Sequence, residues 1–199
     1  FNFNGSYIRD FIKGTPVVEA KLKDTDTMLT PVRNYFAEGF VSGIFKPMRT
    51  LEVEVGFQYV RYNRLLYLNE GNVTVDAYSP FAEVSYRFNK KMSVRMEVQY
   101  QHVAKDFGQW IYGLLEFNVA PRWSVAVSDM WNFKPNPENP VPSARKGNHY
   151  YSAFLAFTHH AHRFSINYVK QVEGIVCTGG VCRFEPAFSG VKVAITSTF

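Results

Sequence analysis

Polar and apolar residues alternate along almost the whole chain, with a period of two. "LEVEVGFQY" sets Leu51, Val53, Val55, Phe57 and Tyr59 against Glu52, Glu54 and Gln58. "MSVRMEVQYQ" sets Met92, Val94, Met96, Val98 and Tyr100 against Ser93, Arg95, Glu97, Gln99 and Gln101. "WSVAVSDMW" and "RFSINYVKQ" repeat the pattern. About ten such segments follow one another, near 1–12, 34–46, 50–63, 75–88, 91–104, 109–119, 122–133, 148–158, 162–172 and 185–199. Long helical periodicity is absent, so the chain reads as all-β and as a single domain over 1–199.

The connections between these segments alternate in length. "KPMR", "NKK", "APR" and "HHAH" are tight, whereas Asn63 to Thr74, "AKDFGQ", "FKPNPENPVPSARKG" and Val172 to Phe184 are longer. A water-soluble sandwich has no reason to sort loops by side. An outer-membrane barrel does, with short periplasmic turns and longer extracellular loops. Its spanning strands need only about 9 to 11 residues, so the lack of any apolar run near the roughly 18 to 20 of a membrane helix does not count against it.

Composition sharpens this. Aromatic residues make up 17% of the chain, and many fall at segment ends: Tyr35, Phe45, Tyr59, Phe88, Tyr100, Trp123, Trp131, Phe133, Tyr151, Phe157 and Phe164. Barrels carry such girdles at both membrane interfaces. The apolar faces carry almost no charge, Asp129 and Lys170 excepted, while Glu52, Glu54, Glu83, Arg87, Arg95, Glu97, Glu116, Arg122, Arg163 and Lys192 occupy the other face. The reading is an antiparallel transmembrane β-barrel with these charges facing its lumen. The 22 basic residues are interspersed with 17 acidic ones, and no basic run suggests nucleic acid.

The chain closes on "VKVAITSTF". Val191, Val193, Ile195 and Phe199 alternate with polar positions in a way similar to the C-terminal signal read by barrel-assembly machinery. The opening "FNFNGSYIRDF" begins inside a strand pattern, so the ten segments are expected to be the C-terminal part of a larger barrel. The strand at 1–12 should then pair with something other than the terminal strand, because edges in a bilayer must be closed.

Residues 168–199, "YVKQVEGIVCTGGVCRFEPAFSGVKVAITSTF", resemble the end of an uncharacterised outer-membrane barrel family of the Bacteroidota. The matching positions are Cys177, Gly179, Gly180, Val181, Cys182, Arg183, Phe184, Pro186 and Ala187. The resemblance implies a location and a fold, but no established activity and no cofactor. Partners on this reading are outer-membrane lipid and lipopolysaccharide, the assembly machinery during insertion, and other envelope proteins.

Within that segment Cys177 and Cys182 flank "TGGV". A two-residue Gly179-Gly180 turn would pair Thr178 with Val181 and set the cysteines opposite each other at about 4.5 Å between Cα atoms, within disulfide range. An oxidising envelope favours a structural disulfide. His159, His160 and His162 invite a zinc reading, but no carboxylate is near in sequence, and a polar interfacial turn explains them. Asp129, His102 and His149 lie near the opposite rim with no recognisable pairing, which leaves a rim hydrolase the weakest hypothesis. A non-enzymatic subunit of an envelope transport or assembly complex stands first, and a stand-alone diffusion pore second.

The face assignment is testable in the terminal strand. Lysine on a lipid face near the midplane costs roughly 2 to 4 kcal/mol. Val193→Lys is therefore expected to impair folding into bilayers far more than Lys192→Val. Refolding yields in lipid vesicles would measure this, and equal defects would mean that the faces are reversed.

Overall fold

Every regular element among the described residues is a strand. The computed structural model describes residues 1–9, 34–64, 74–138, 148–178 and 181–197, with the side chains of 8–9, 34–35, 174–178 and 181–185 outside the description. The strands are β1 (Asn2–Arg9), β2 (Asn34–Met48), β3 (Leu51–Asn63), β4 (Thr74–Arg87), β5 (Met92–Val103), β6 (Gly108–Val119), β7 (Trp123–Pro135), β8 (His149–His159), β9 (His162–Gln171), β10 (Gly174–Thr178), β11 (Val181–Glu185) and β12 (Phe188–Ser197). Ten of them form one sheet in the order β1-β2-β3-β4-β5-β6-β7-β8-β9-β12, while β10 and β11 pair separately. All neighbours run antiparallel. The sheet is open: β1 and β12 are its edges and do not pair with each other.

The ten alternating segments of the sequence are thus the ten strands of the sheet. The connection from Val172 to Phe184, expected as a long loop, itself carries the β10–β11 hairpin. Antiparallel order places the four tight connections, after β2, β4, β6 and β8, at one end of the sheet. The longer ones lie at the other. At the tight end, His160 turns the chain with φ 52, the left-handed region that two-residue hairpin loops call for.

Register separates the two faces. Met48, Leu51, Tyr86, Val94, Phe117, Val125, Leu155, Ile166 and Val193 form one cross-strand row through nine strands. Phe45, Val53, Val84, Met96, Leu115, Val127, Ala153, Tyr168 and Val191 form another on the same face. Between them, on the opposite face, runs Glu52, Ser85, Arg95, Glu116, Ala126, Phe154, Asn167 and Lys192.

It is the apolar face that is exposed. Val125 and Val127 are 42% and 48% exposed, while Ala126 between them is more sheltered. Among the described residues only six hydrophobic side chains are buried, against twenty-eight large ones exposed. Ala77, Val103, Trp110, Tyr150 and Ala156, all buried, belong to the polar face by register. Val172 and Glu173, just past β9, share a cavity with Gln58 and Tyr62 of β3, six strands away. A flat sheet would hold those strands about 29 Å apart at ~4.8 Å per strand. The sheet therefore curls, with its polar face concave.

Two positions show how closely neighbouring strands are fitted. Pro80 lies inside β4 and has no N–H; β4 stays in register with β3 there, but the β4–β5 ladder is interrupted at Ser79 and Pro80. Gly56 lies under the Phe81 ring, which also stacks on Phe40 at 5.8 Å. A Cβ on Gly56 would meet that ring and would stand 2.8 Å from the Val41 carbonyl oxygen, whereas one on Gly113 would meet nothing within 4 Å. Gly56→Ala is expected to destabilise the fold by about 1–3 kcal/mol. Gly113→Ala should be neutral or slightly stabilising. Denaturant unfolding of the two variants side by side would check the contrast.

Candidate functional site: a charged concave face

Nine of the ten charges assigned from the sequence to a common face lie on the concave one by register, and Arg122, in the turn before β7, lines a cavity with Arg163. Glu54, Glu83 and Glu97 stand directly opposite one another on β3, β4 and β5. Like charges so placed repel. Arg95, in the adjoining row, offsets this: its Nη1 lies 3.1 Å from Glu83 Oε2 and 3.4 Å from Glu97 Oε2, and its Nη2 lies 2.8 Å from Glu116 Oε2. Asn118 donates to the other oxygen of Glu116 at 2.7 Å. Gln99 donates to Glu97, and Ser85 to Glu83 at 3.5 Å. One guanidinium thus serves three carboxylates, with neutral donors supplying the rest.

Toward the tight-turn end, Lys46 holds Glu52 at 2.6 Å, and Arg87, Arg122 and Arg163 line polar spaces beside the turns. Lys192 donates to Gln171 Oε1 at 3.1 Å and lies over the Phe188 ring. At the other end Tyr62 donates to Asp106 at 2.8 Å, and Arg64 lies 3.7 Å from the same carboxylate, beside a cavity of about 310 Å³. Asp106 and Arg64 sit at or beyond strand ends, where alternation no longer marks a face.

The exposed face needs two corrections. Besides Asp129 and Lys170, Arg61 and Asp76 also lie on it by register, near its long-loop end. They pair with each other at 2.7 Å, and Tyr59 donates to the same carboxylate at 2.6 Å. Asp129 is paired too: His149 Nδ1 lies 2.6 Å from its Oδ2, and the imidazole stacks on Trp131 with ring centres 5.1 Å apart. The β7–β8 register, which sets His149 opposite Trp131, brings about this contact across 20 positions of sequence. Among the described residues no Ser or Cys side chain is hydrogen-bonded to His149. Lys170 lies over the rings of Tyr150 and Tyr151 at 5.1 and 6.0 Å.

Aromatic side chains cluster near both ends of the exposed face. Trp123 packs on Phe157 at 4.6 Å and Tyr86 on Phe88 at 4.9 Å near the tight turns. Tyr59 on Tyr78, Trp131 on Phe133 and Tyr151 on Tyr168 lie near the long loops. In the β8–β9 turn His159 stacks on Phe157, His162 Nδ1 lies 3.0 Å from Ser197 Oγ, and no metal-binding group of side chains occurs among the described residues.

Val191, Val193 and Ile195 are 55%, 68% and 65% exposed, and all three follow the apolar face; Phe199 lies outside the described residues. Cys177 stands opposite Cys182 in the β10–β11 ladder, and Thr178 opposite Val181, the pairing expected from the sequence. The two cysteine side chains lie outside the described residues, and no disulfide occurs among the described ones.

A family model described as a family of unknown function, DUF6029, matches residues 1–199. The chain belongs to DUF6029. An uncharacterised family is what the resemblance of residues 168–199 implied, and membership in DUF6029 brings no assigned activity to the charged face. No curated protein and no solved structure matches the chain.

The Arg95 cluster makes a direct prediction for DUF6029. The Arg95 side chain is 35% exposed, so solvent moderates the loss of its partners. Arg95→Gln is expected to destabilise the fold by about 1–2 kcal/mol, less than the removal of one partner from a fully buried pair. Adding Glu83→Gln should recover part of that loss, because the repulsion left behind would be relieved. A double-mutant cycle in denaturant measures both effects, and strict additivity would contradict the cluster.

Proposed function

We propose that this chain is a membrane-embedded, outer-membrane β-barrel segment without enzymatic activity, acting as a subunit of an envelope transport or assembly complex. One observation carries the membrane reading: the continuous apolar face is exposed while the hydrogen-bonded charges occupy the sheltered concave face. In water this arrangement would leave a far larger contiguous apolar patch than soluble monomers tolerate. In a bilayer the same face meets hydrocarbon. Trp123 and Trp131 are eight residues apart on β7, a spacing of about 27 Å along a strand and about 20 Å after a barrel's ~40° tilt. That compares with the ~25 Å apolar band of outer-membrane barrels.

The free edges of β1 and β12 support the subunit reading over a complete pore, since a bilayer leaves no edge unpaired. On this reading the tight turns face the periplasm and the long loops the exterior, where the Cys177–Cys182 hairpin would be closed by a disulfide. A hydrated concave face favours the alternative of a stand-alone pore.

Refolding the full chain into phosphatidylcholine vesicles tests the proposal. Resistance to carbonate extraction and heat-dependent gel mobility are the expected results. A monodisperse monomer that stays soluble without detergent would overturn the membrane reading. Planar-bilayer recording then separates the alternatives, because a stand-alone pore conducts in steady unitary steps and a subunit lacking its partners does not.

A further inference from the structure

The concave face is sorted by charge along the strands. Glu54, Glu83 and Glu97 make its middle acidic. At the tight-turn end the sign reverses, with Arg49, Arg87, Arg122 and Arg163 against Glu52, which Lys46 already holds. Among the described residues none of these four arginines is ion-paired with a carboxylate.

Two of the four share a formed space. Arg122 and Arg163 wall a cavity of about 360 Å³ together with Ser124 and Thr158. Arg163 stands opposite Thr158, whose amide donates to the Arg122 carbonyl at 2.8 Å. The two arginines are therefore two strands apart, about 10 Å between backbones at ~4.8 Å per strand, with their side chains on the same face. The row Ser124, Ala156 and Ser165 puts only small side chains beneath them, and Ala156, only 2% exposed, forms part of the cavity floor. Glu116 also borders the space, but Arg95 and Asn118 occupy both of its oxygens. Facing the cavity are two guanidinium groups with no carboxylate partner among the described residues and two hydroxyl groups, beside Asn118, Trp123 and the already paired Glu116.

We propose that this cavity binds a phosphate group, with Arg122 and Arg163 bonding it from opposite sides and the Ser124 and Thr158 hydroxyls donating to its remaining oxygens. Guanidinium forks match phosphate oxygens bidentately. Donors converging from several directions suit a tetrahedral oxyanion better than a planar carboxylate. The acidic row of Glu54, Glu83 and Glu97 repels an anion from the middle of the face, so the phosphate is retained at the tight-turn end. The site goes beyond the proposed membrane role and holds whatever covers the apolar face.

The phosphate has two sources, a free solute or a phospholipid headgroup, and one set of variants tests both. The full chain, folded in a neutral detergent, is titrated calorimetrically with inorganic phosphate. In parallel it is reconstituted in phosphatidylcholine vesicles with and without phosphatidylglycerol, and lipid contact is read by phosphorus NMR. The expected result is saturable binding that the double variant Arg122→Gln/Arg163→Gln weakens about tenfold or more. Lys90→Gln/Lys91→Gln, which removes the same charge from a turn outside the cavity, should leave affinity within about twofold. Arg122→Lys/Arg163→Lys should bind with intermediate affinity, because charge is kept and the fork is lost. Binding seen only with phosphatidylglycerol, and dependent on the two arginines, identifies the source as lipid. Equal weakening by the arginine and lysine doubles would reduce the effect to diffuse charge and overturn the site. So would the absence of binding in both arms, with circular dichroism confirming that each variant is folded.

Discussion

Cross-strand register is the constraint on which everything else in this sheet depends. Side chains alternate with a period of two, so a slip of one residue in any pair would carry a whole strand's charges to the apolar face. Met96 opposite Leu115 and Arg95 opposite Glu116 are consequences of a single alignment of β5 with β6. The alignment is held from both sides at once. Slipping β5 would carry Arg95 and Glu97 to the apolar face and strand Glu83 and Glu116 without their shared cation. Hydrophobic rows and the charge cluster therefore specify the same register, and each makes the other's error costly.

That agreement explains why so much of the fold was legible in sequence. Ten alternating segments became ten paired strands, with boundaries moved by at most a few residues. Nine of the ten charges assigned to one face keep to it by register, because assigning a face requires only counting by two. What counting could not supply was contact between strands. Asp129 and His149 looked unrelated because the β7–β8 connection separates them, and only the register through Trp131 brings them together. Arg61 and Asp76 were overlooked on the apolar face for a related reason. Each is the single charge on the apolar face of its own strand, and they make sense only as a cross-strand pair. The pairing of Thr178 with Val181 and of Cys177 with Cys182 followed from the sequence, but the extension of that ladder to Gly174 opposite Glu185 did not, because strands of five residues are too short for alternation to announce them.

The five charges or charge partners that break the apolar pattern are informative in their placement. Arg61–Asp76, Asp129–His149 and Lys170 over two tyrosine rings all lie toward the long-loop end, and each is offset by a partner. The tight-turn end of the same face carries aromatic rings instead, as at Trp123 and Phe157. Polar groups at a membrane boundary cost little when paired and near water, and much at mid-depth. On the membrane reading, the sheet tolerates charge on its outer face only where the bilayer gives way to the long loops.

The concave face follows a different logic, because its charges are not all neutralised. Arg95 shares itself among Glu83, Glu97 and Glu116, which leaves the middle of the face net negative, while the arginines beside the tight turns are in no ion pair among the described residues. Pairing these opposite signs would need only side chains that reach further along the strands. Small residues at Ser124, Ala126, Ala156 and Ser165 instead keep the space beneath Arg122 and Arg163 open. Stability alone favours filling such a space with apolar volume or closing it with an ion pair. A fold that keeps unpaired guanidinium groups over a floor of small residues has traded some of that stability for room beside a positive charge, and room beside positive charge is what an anionic ligand requires.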